Sequence, residues 1–362
     1  MSFFSVYNFS HQKEWNYWFD RLPENFKDIH YSYDYNYLYE LNGDGAMQLF
    51  VYGEGEHFYF YPFVLKAIKQ NVFNEKYFDI ETVYGYTGPL SNSINPDFLK
   101  KSRQVFNNWA EHKNVVSEFI RFNPLLDNIV FSRHDDSISI VPLRHYVYVD
   151  LRLNEDELWN KSYSSVNRNR IRKARKEGLQ IIFDAELEYF EDFKKIYIEN
   201  MRSHNAVSMY FFSQPFFDQL KLFLRLHGIL IVVLKDGKPI AGATFFKGTD
   251  LSHYFLSSAN EEGKKYPATN YILHEAINWS KAAGANKFHL GGGMTSDADD
   301  TLLRFKRRFS TLKEVFYIGK KIHNQKAYDL LVTMWNKQFP RQAEQYKNIL
   351  QRYHLNEKDF RK

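Results

Sequence analysis

The sequence of 362 residues contains no cysteine. This absence excludes disulfide bonds, thiolate-bound metals and a cysteine nucleophile. Long apolar runs are also missing, since the longest aliphatic run, residues 229–234, is far shorter than the roughly 20 residues of a membrane-spanning helix. The start, Met1-Ser-Phe-Phe, lacks the charged segment and the long apolar core of a signal peptide. The sequence therefore predicts a cytoplasmic protein without a transmembrane segment.

Aromatic residues are abundant, at 18%, while charged residues stand at an ordinary 25%, and this composition is typical of a globular protein. The length exceeds that of one ordinary core and predicts two domains. The net charge, 48 − 43 = +5, is mild, but six cations fall within residues 168–176 and a second group spans 304–308. Such clusters favour polyanionic or phosphorylated partners, with a solvated helix face as the open alternative.

Two segments of the chain repeat the order hairpin, helix, strand. The hydrophobic pattern predicts these elements at 47–65, 96–112 and 115–122, and again at 229–246, 267–283 and 287–290. Asn95 and Pro96 mark the start of the first helix, and Asp236-Gly237 marks the turn of the second hairpin. Further helices are predicted at 10–22, 165–177, 186–201 and 213–226, with a closing strand at 315–322. The repeat predicts two copies of one α/β unit, in domains at 1–147 and 148–322, followed by a helical tail at 323–362.

The most informative stretch begins where the last strand of the second unit runs into Gly291, Gly292 and Gly293. An acidic turn at 297–300 follows, and then a basic segment that contains Phe305 and Lys306. Glycines allow a backbone to approach a ligand closely and leave amide groups free to donate to it. A lysine beside such a backbone can stabilise an oxyanion or a phosphate. The open alternative is a strand-to-helix turn followed by a solvated basic helix.

Several stretches, in this order, resemble the FemABX group of tandem GNAT-like acyltransferases. They are Tyr84-Gly-Tyr-Thr-Gly-Pro89, Arg121-Phe-Asn-Pro124, the basic helix 167–176, and Leu290-Gly-Gly-Gly leading to Phe305-Lys306. The resemblance covers roughly residues 45–320 and implies an α/β (α+β) fold with two GNAT-like domains, whose mixed, mostly antiparallel sheets are flanked by helices. It also implies transfer of an aminoacyl group from aminoacyl-tRNA to an amine of a peptidoglycan precursor. The long coiled-coil arm of some members has no room here before Glu186.

The resemblance implies a role for particular residues of this chain. Phe305 and Lys306 match the pair that contacts the tRNA end and the developing oxyanion. Arg202 and Tyr210 stand where the family clamps the phosphates of the acceptor and lines its groove. Tyr84, Tyr86 and Tyr254 are further candidates to line that groove, and Gly291, Gly292 and Gly293 to approach the substrate. Spacing alone places Arg168, Arg172, Arg175 and Lys176 on one helix face, where they would bind tRNA phosphates or be solvated.

The donor is expected to be aminoacyl-tRNA rather than acyl-CoA, with no bound cofactor. In the usual GNAT signature a glycine-rich loop cradles the CoA pyrophosphate, but the corresponding stretch here, residues 260–268, carries Glu261 and Glu262, whose charges would repel it. The histidines show no ligand spacing, so no metal is predicted. Glu275 and Asp297 are candidate general bases or, on the simpler interpretation, an exposed helix residue and a turn residue.

The expected partners are therefore aminoacyl-tRNA and a phosphate-bearing cell-wall or polysaccharide precursor, with peripheral membrane contact left open. A second hypothesis is a CoA- or carrier-dependent N-acyltransferase that acts on an amino sugar of a surface polysaccharide, because the fold does not fix the donor. A third is a non-catalytic RNA-binding module. The sequence leaves the acyl group, the acceptor and the oligomeric state open.

Overall fold

The computed structural model describes residues 2–70, 75–204, 206–297 and 299–360. The chain divides into two compact units. The first comprises Met1–Phe26, His30–Leu143 and Phe316–Lys362, and the second comprises Lys27–Ile29 and Arg144–Val315. Each unit is a mixed β-sheet with helices packed on it, so the predicted α/β class is confirmed. No helix in the described ranges is both long and apolar enough to cross a membrane.

The strands are named in chain order. They are β1 (Ser2–Tyr7), β2 (Ala46–Glu54), β3 (His57–Ala67), β4 (Phe78–Glu81), β5 (Leu90–Ser91), β6 (Val115–Arg121), β7 (Ser139–Asp150), β8 (Gln180–Asp184), β9 (Gly228–Lys235), β10 (Lys238–Lys247), β11 (Leu251–Ala259), β12 (Lys287–Gly292) and β13 (Lys313–Ile322).

The α-helices are named in the same way. They are α1 (Gln12–Asp20), α2 (Tyr33–Asn42), α3 (Pro96–His112), α4 (Glu155–Glu157), α5 (Ser165–Lys176), α6 (Phe190–Ser203), α7 (Gln214–His227), α8 (Glu261–Lys264), α9 (Ala268–Ala282), α10 (Thr301–Lys306) and α11 (Gln325–Gln338). One turn of π-helix, Leu158–Ser162, lies between α4 and α5.

The sheet of the first unit has the strand order β1-β2-β3-β4-β6-β13, with β5 beside β3. Its neighbours pair antiparallel except β4 and β6, which are parallel because the helix α3 crosses between them. Asn95 caps α3 by accepting from the amides of Asp97 and Phe98, as predicted. A core dense in aromatic rings, including Phe50 and Phe106, packs against this sheet.

The sheet of the second unit has the order β8-β9-β10-β11-β12-β7. Here β11 and β12 form the parallel pair, and α9 crosses between them. The hairpin β9–β10 turns at Asp236 (φ 50°) and Gly237 (φ 75°), the two positive φ angles that an Asp-Gly turn of this type requires, so the predicted hairpin is confirmed. The core of this unit is mainly aliphatic and includes Ile231, Ile277 and Leu290.

A strand next to the parallel pair closes each sheet, and neither closing strand follows the order of the chain. β13 closes the first sheet by pairing with β6, from Ile318 opposite Arg121 to Ile322 opposite Ser117. β7 closes the second sheet by pairing with β12. The closing strand predicted at 315–322 therefore exists, but its residues from Phe316 onward belong to the first unit, whereas the predicted boundary placed them in the second domain.

The tail after β13 is also part of the first unit. It begins with α11, which ends at Gln338, and continues as turns and two short 3-10 segments, so only part of the tail predicted as helical at 323–362 is α-helix. The tail is held by a buried carboxylate, since Asp79 accepts hydrogen bonds from the Tyr353 hydroxyl (2.9 Å) and pairs with His354 Nε2 (2.7 Å). Trp335 and Leu331 pack into an apolar cluster with Val116 of β6.

A buried group of charges crosses the middle of the first unit. Arg103 of α3 binds Glu118 of β6 through two hydrogen bonds (3.1 and 3.0 Å) and also contacts Asp135. Lys321 pairs with Asp135 (2.8 Å) and His323 with Glu118 (3.0 Å). Burial alone would raise the pKa of Glu118, but Arg103 and His323 hold it well below its usual range. The helix, the central strand and the closing strand are thus joined by one ionic network.

Candidate active site

Lys306 lies at the end of α10, directly behind the triglycine turn that ends β12. Its side chain is buried, with 7% of the residue exposed, and its Nζ donates to the carbonyl of Gly292 (2.7 Å). The ammonium also lies 5.8 Å from the ring centroid of Tyr254 on β11. The alternative of a solvated surface lysine is therefore wrong for this residue.

The three glycines of the turn are each required for a different reason. Gly291 has a φ of +81°, which residues with a side chain rarely adopt. A Cβ on Gly292 would meet the ring of Tyr146 at 2.1 Å, and one on Gly293 would meet the carboxylate of Asp300 at 2.4 Å. The glycines therefore let the end of β12 pack closely between an aromatic ring and a carboxylate.

Asp300 organises the turn from the other side. Its Oδ1 accepts from the amide of Leu303 and so caps α10, while its Oδ2 accepts from the amides of Met294 and Thr295 (3.0 and 2.9 Å). Burial would raise the pKa of Asp300, but these backbone hydrogen bonds lower it. The amides of Met294 and Thr295 are thus committed to a carboxylate. The signal that could have identified this role is an aspartate two residues before the first apolar residue of a helix.

Arg144 of β7 is a site residue that sequence reasoning missed. Its Nη1 donates to the carbonyls of Gly293 (2.9 Å) and Met294 (3.2 Å), next to the carbonyl that Lys306 binds. Burial, together with the charge of Arg144, lowers the pKa of Lys306 to about 7, against the opposing effect of Asp300. Near neutral pH this lysine is therefore poised between its charged and neutral forms.

The basic helix is only partly available to a ligand. Arg168 donates to the carbonyls of Tyr163 (2.6 Å) and Trp159 (3.1 Å), and so closes the π-helical turn before α5. Arg175 pairs with Glu275 (3.2 Å). Arg172 and Lys176 are exposed, and the Arg172 guanidinium lies 5.4 Å from the Trp159 ring centroid. These two cations are what remains of the predicted phosphate-binding face, which stays a prediction.

The start of this helix is attached to the Lys306 segment. Ser162 Oγ donates to the carbonyl of Phe309 (2.7 Å), and the amide of Ser164 donates to the carbonyl of Arg308 (2.9 Å). These two bonds join the turn before α5 to the residues that immediately follow α10. The two basic clusters noticed in the sequence are therefore neighbours in the second unit.

His274 of α9 sits beside the basic helix in a neutral state. Its Nε2 lies 3.2 Å from the Arg175 guanidinium, which can only donate, so the ring proton is on Nδ1, facing the Tyr163 hydroxyl (3.3 Å). Burial and the charge of Arg175 lower the pKa of His274 to about 4. Arg175 thus contacts both His274 and Glu275, so neither His274 nor Glu275 is a free base.

The remaining predicted residues lie in different places. Phe305 is half-buried and contacts the Phe309 ring (5.8 Å between centroids). Arg202 is exposed at the end of α6, and Tyr210 follows it, with its carbonyl bound by the Tyr197 hydroxyl (2.9 Å).

Tyr84 and Tyr86 belong to the first unit; Tyr84 is exposed, and Tyr86 packs on the ring of Phe316. Asp297 is an exposed turn residue that accepts from the amide of Asp299 (2.9 Å). The structure thus brings together Lys306, Tyr254 and the triglycine turn, while Arg202 and Tyr210 form no hydrogen bond or ion pair with Lys306 in the described part of the chain.

The class of protein follows from this site and a family comparison. Residues 161–307 match the family model of an acetyltransferase (GNAT) domain. The matched segment contains α5, Tyr254, the triglycine turn and Lys306, and it confirms the predicted enzyme class, an acyltransferase. None of the curated protein sequences matches this chain.

Solved structures confirm the predicted tandem GNAT-like fold. FemX superposes with a TM-score of 0.67 at 13% identity, over 88% of this chain and 98% of that chain. The C-terminal domain of a protein named as a lysylphosphatidylglycerol synthetase from Agrobacterium fabrum gives 0.54 at 15% identity, over 81% and 88% of the two chains. A tandem GNAT protein from the clavulanic acid biosynthesis pathway gives 0.51 at 9% identity, over 90% and 99%. The chain therefore has a tandem GNAT-like fold, similar to that of FemX.

Proposed function

We propose that this protein is a cytoplasmic aminoacyltransferase, which moves an aminoacyl group from aminoacyl-tRNA to an amine of a phosphate-bearing cell-envelope precursor. The observation that carries the proposal is the buried Lys306 at the triglycine end of β12, inside the segment that matches a GNAT domain. The likeness in fold to FemX and to a domain named for lysylphosphatidylglycerol synthesis supports aminoacyl transfer in particular.

The reaction that we propose replaces an ester by an amide. The acceptor amine attacks the ester carbonyl carbon, a C–N bond forms, and the carbonyl oxygen becomes a tetrahedral oxyanion. The C–O bond to the ribose then breaks, and the proton lost by the amine ends on the ribose oxygen. Burial lowers the pKa of Lys306 in the resting site, but an oxyanion beside it would raise that pKa again. The ammonium would therefore be most fully formed in the transition state, where its interaction accelerates the reaction.

The choice of donor rests on the two basic clusters. The turn before α5 is hydrogen-bonded to the residues that follow α10, and this link supports a polyanionic donor that contacts both basic clusters while its ester approaches Lys306. The charge argument against CoA is weaker than the sequence indicated, because Glu261 pairs with Lys264 (2.6 Å) and Glu262 with Lys265 (2.5 Å). Acyl-CoA is thus the second candidate donor, and the acetyltransferase-type domain match favours it.

A donor competition decides between these two candidates. The purified protein is incubated with an amine acceptor fraction from cell-envelope precursors and with either radiolabelled aminoacyl-tRNA or radiolabelled acetyl-CoA. We expect label to move from tRNA to the acceptor and not from CoA. Transfer from CoA alone would reject the tRNA donor, and binding of RNA without any transfer would favour the non-catalytic module.

Binding of tRNA should depend on the exposed part of α5. The double variant Arg172→Gln, Lys176→Gln should bind tRNA more weakly and lower the log-log salt slope by up to about two units, because each phosphate contact contributes about 0.9. Filter binding between low and moderate salt measures both quantities. Arg225→Gln with Lys238→Gln, which removes two exposed charges elsewhere in the unit, is the matched control. Equal effects of the two pairs would mean that α5 has no specific role.

A further inference from the structure

Two cations from different elements hold neighbouring carbonyls of the triglycine turn. Lys306, at the end of α10, donates to the carbonyl of Gly292 (2.7 Å). Arg144, in β7, donates to the carbonyls of Gly293 (2.9 Å) and Met294 (3.2 Å). The position of the Lys306 ammonium therefore depends on a turn that Arg144 helps to fix.

The charge of Arg144 is not balanced by a carboxylate of its own. Within the described ranges Arg144 forms no ion pair, and its Nε is buried without a hydrogen-bond partner. Leaving a buried donor unsatisfied costs free energy, so this guanidinium is held in place by the turn at some expense to stability. A cation kept unpaired beside a buried lysine raises the free energy of the charged lysine.

The groups that face Lys306 come from three elements. Asp300, at the start of α10, favours the ammonium, and Arg144 opposes it. Tyr254 of β11 presents a neutral ring, because burial raises the pKa of its phenol to about 12. Burial has the largest effect on the pKa of Lys306 and lowers it, while Asp300 raises this pKa and Arg144 lowers it further.

We propose that Arg144 is a positioning residue of the acyl-transfer site, which fixes the turn that Lys306 binds and opposes the protonation of Lys306 until negative charge develops beside it. The charged form of Lys306 is then disfavoured in the resting site, and a Lys306 that already carries its proton gains a favourable partner only when the oxyanion develops. Such an interaction strengthens between the ground state and the transition state, which is the condition for acceleration. The part of this inference that concerns turnover rests on the proposed function, while the effect on Lys306 itself does not.

The test is a direct titration of Lys306 in the full-length protein. Lysines are reductively methylated with ¹³C-formaldehyde, and the NMR signal of Lys306 is assigned by its loss in Lys306→Met. In Arg144→Gln we expect the titration midpoint of Lys306 to move to higher pH by about one unit, because one nearby like charge is removed. Arg152→Gln is the matched control. Arg152 lies just beyond the end of the same strand, is exposed, and pairs with Asp150. An unchanged midpoint in Arg144→Gln, or an equal shift in Arg152→Gln, would overturn the proposal.

A second variant covers the case in which Arg144→Gln does not fold. Arg144→Lys keeps the charge but cannot hold two carbonyls in the same planar fork. Its Lys306 midpoint should stay near that of the wild type, while turnover falls through kcat with little change in KM. If the Lys306 midpoint moved upward in Arg144→Lys as far as we expect for Arg144→Gln, the role of the charge would be contradicted.

The titration needs no substrate, so it separates two kinds of failure. If the wild-type protein transfers no aminoacyl group but the midpoint shifts as expected, the proposed function fails and the coupling of Arg144 to Lys306 stands. If transfer is observed and the midpoint does not move, the function stands and Arg144 is only a structural residue of the turn.

Discussion

Replacement of Lys306 by methionine should lower the turnover number by about 100-fold, with little change in the affinity for the donor. The substitution keeps the length and apolar stem of the side chain and deletes its charge. One preorganised donor at an oxyanion contributes about 3 kcal/mol to the transition state, which corresponds to this factor. Steady-state kinetics with the natural donor and acceptor measure kcat and KM separately, and a loss confined to KM would mean that Lys306 only holds the donor.

The pH profile gives a second, independent signature of Lys306. Because burial and Arg144 lower its pKa to about 7, the contribution of the ammonium should be present below that pH and fall as the pH rises through it. The acceptor amine has the opposite effect on the pH profile: activity rises with pH as the amine loses its proton, since only the neutral amine attacks. In Lys306→Met the limb of falling activity should disappear, while the limb that belongs to the amine remains.

The matched control for this variant is Lys313→Met, which removes an exposed lysine in the same unit. It should leave turnover and the pH profile unchanged. Stability should not explain the loss in Lys306→Met either, because replacement of a buried ionisable group by an apolar one of similar size is often neutral or stabilising. Near wild-type transfer by Lys306→Met, in a protein whose melting temperature is preserved, would rule out a role for this lysine in catalysis.

The substitution Glu118→Gln should have the largest effect on stability, with a loss of about 3–5 kcal/mol in the free energy of unfolding. Glu118 is fully buried and accepts from Arg103, His323 and the Tyr61 hydroxyl. An amide keeps the shape but leaves the guanidinium of Arg103 without its main counter-charge in an apolar core. Urea denaturation, followed by a signal from the first unit, measures the change.

Glu54→Gln is the control for this experiment. Glu54 forms a salt bridge of similar length with Lys101 (2.8 Å), but both side chains are exposed. Its loss should barely move the denaturation midpoint, since exposed ion pairs contribute little. If the two substitutions destabilised the protein equally, burial would not be what makes the Glu118 network important.

The sequence predicted best those features that local chemistry decides. Asn95 and Pro96 fix the start of α3, and Asp236-Gly237 fixes the turn of a hairpin, because the capping side chain and the positive φ angles act over two or three residues. The repeat of hairpin, helix and strand followed from these elements and led to the tandem fold. Lys306 was found because it follows a distinctive glycine turn at short range.

The missed features depend on distant parts of the chain. β7 carries Pro142 and Arg144 and has only two buried positions, so it shows little of the alternation that marks a strand. Arg144 lies 149 residues before Gly293, and nothing near it in sequence indicates that contact. Similarly, Arg168 shares its spacing with the other cations of α5, and only the structure shows that carbonyls of the preceding turn occupy it. Arg144 and Arg168 differ from exposed arginines in the carbonyl groups that they bind, and these contacts are visible only in the folded structure.

The position of β13 has a consequence for how the protein is made. A ribosome that has completed β6 has still to synthesise residues 122–312 before the strand that pairs with β6 begins to emerge. At about 5–20 residues per second this interval lasts on the order of ten to forty seconds. During that time one edge of the nascent sheet is open, and Glu118 lacks His323 as a partner. Folding in the order of synthesis is therefore not available to the first unit, and its open edge is a site at which nascent chains could pair with one another or recruit a chaperone.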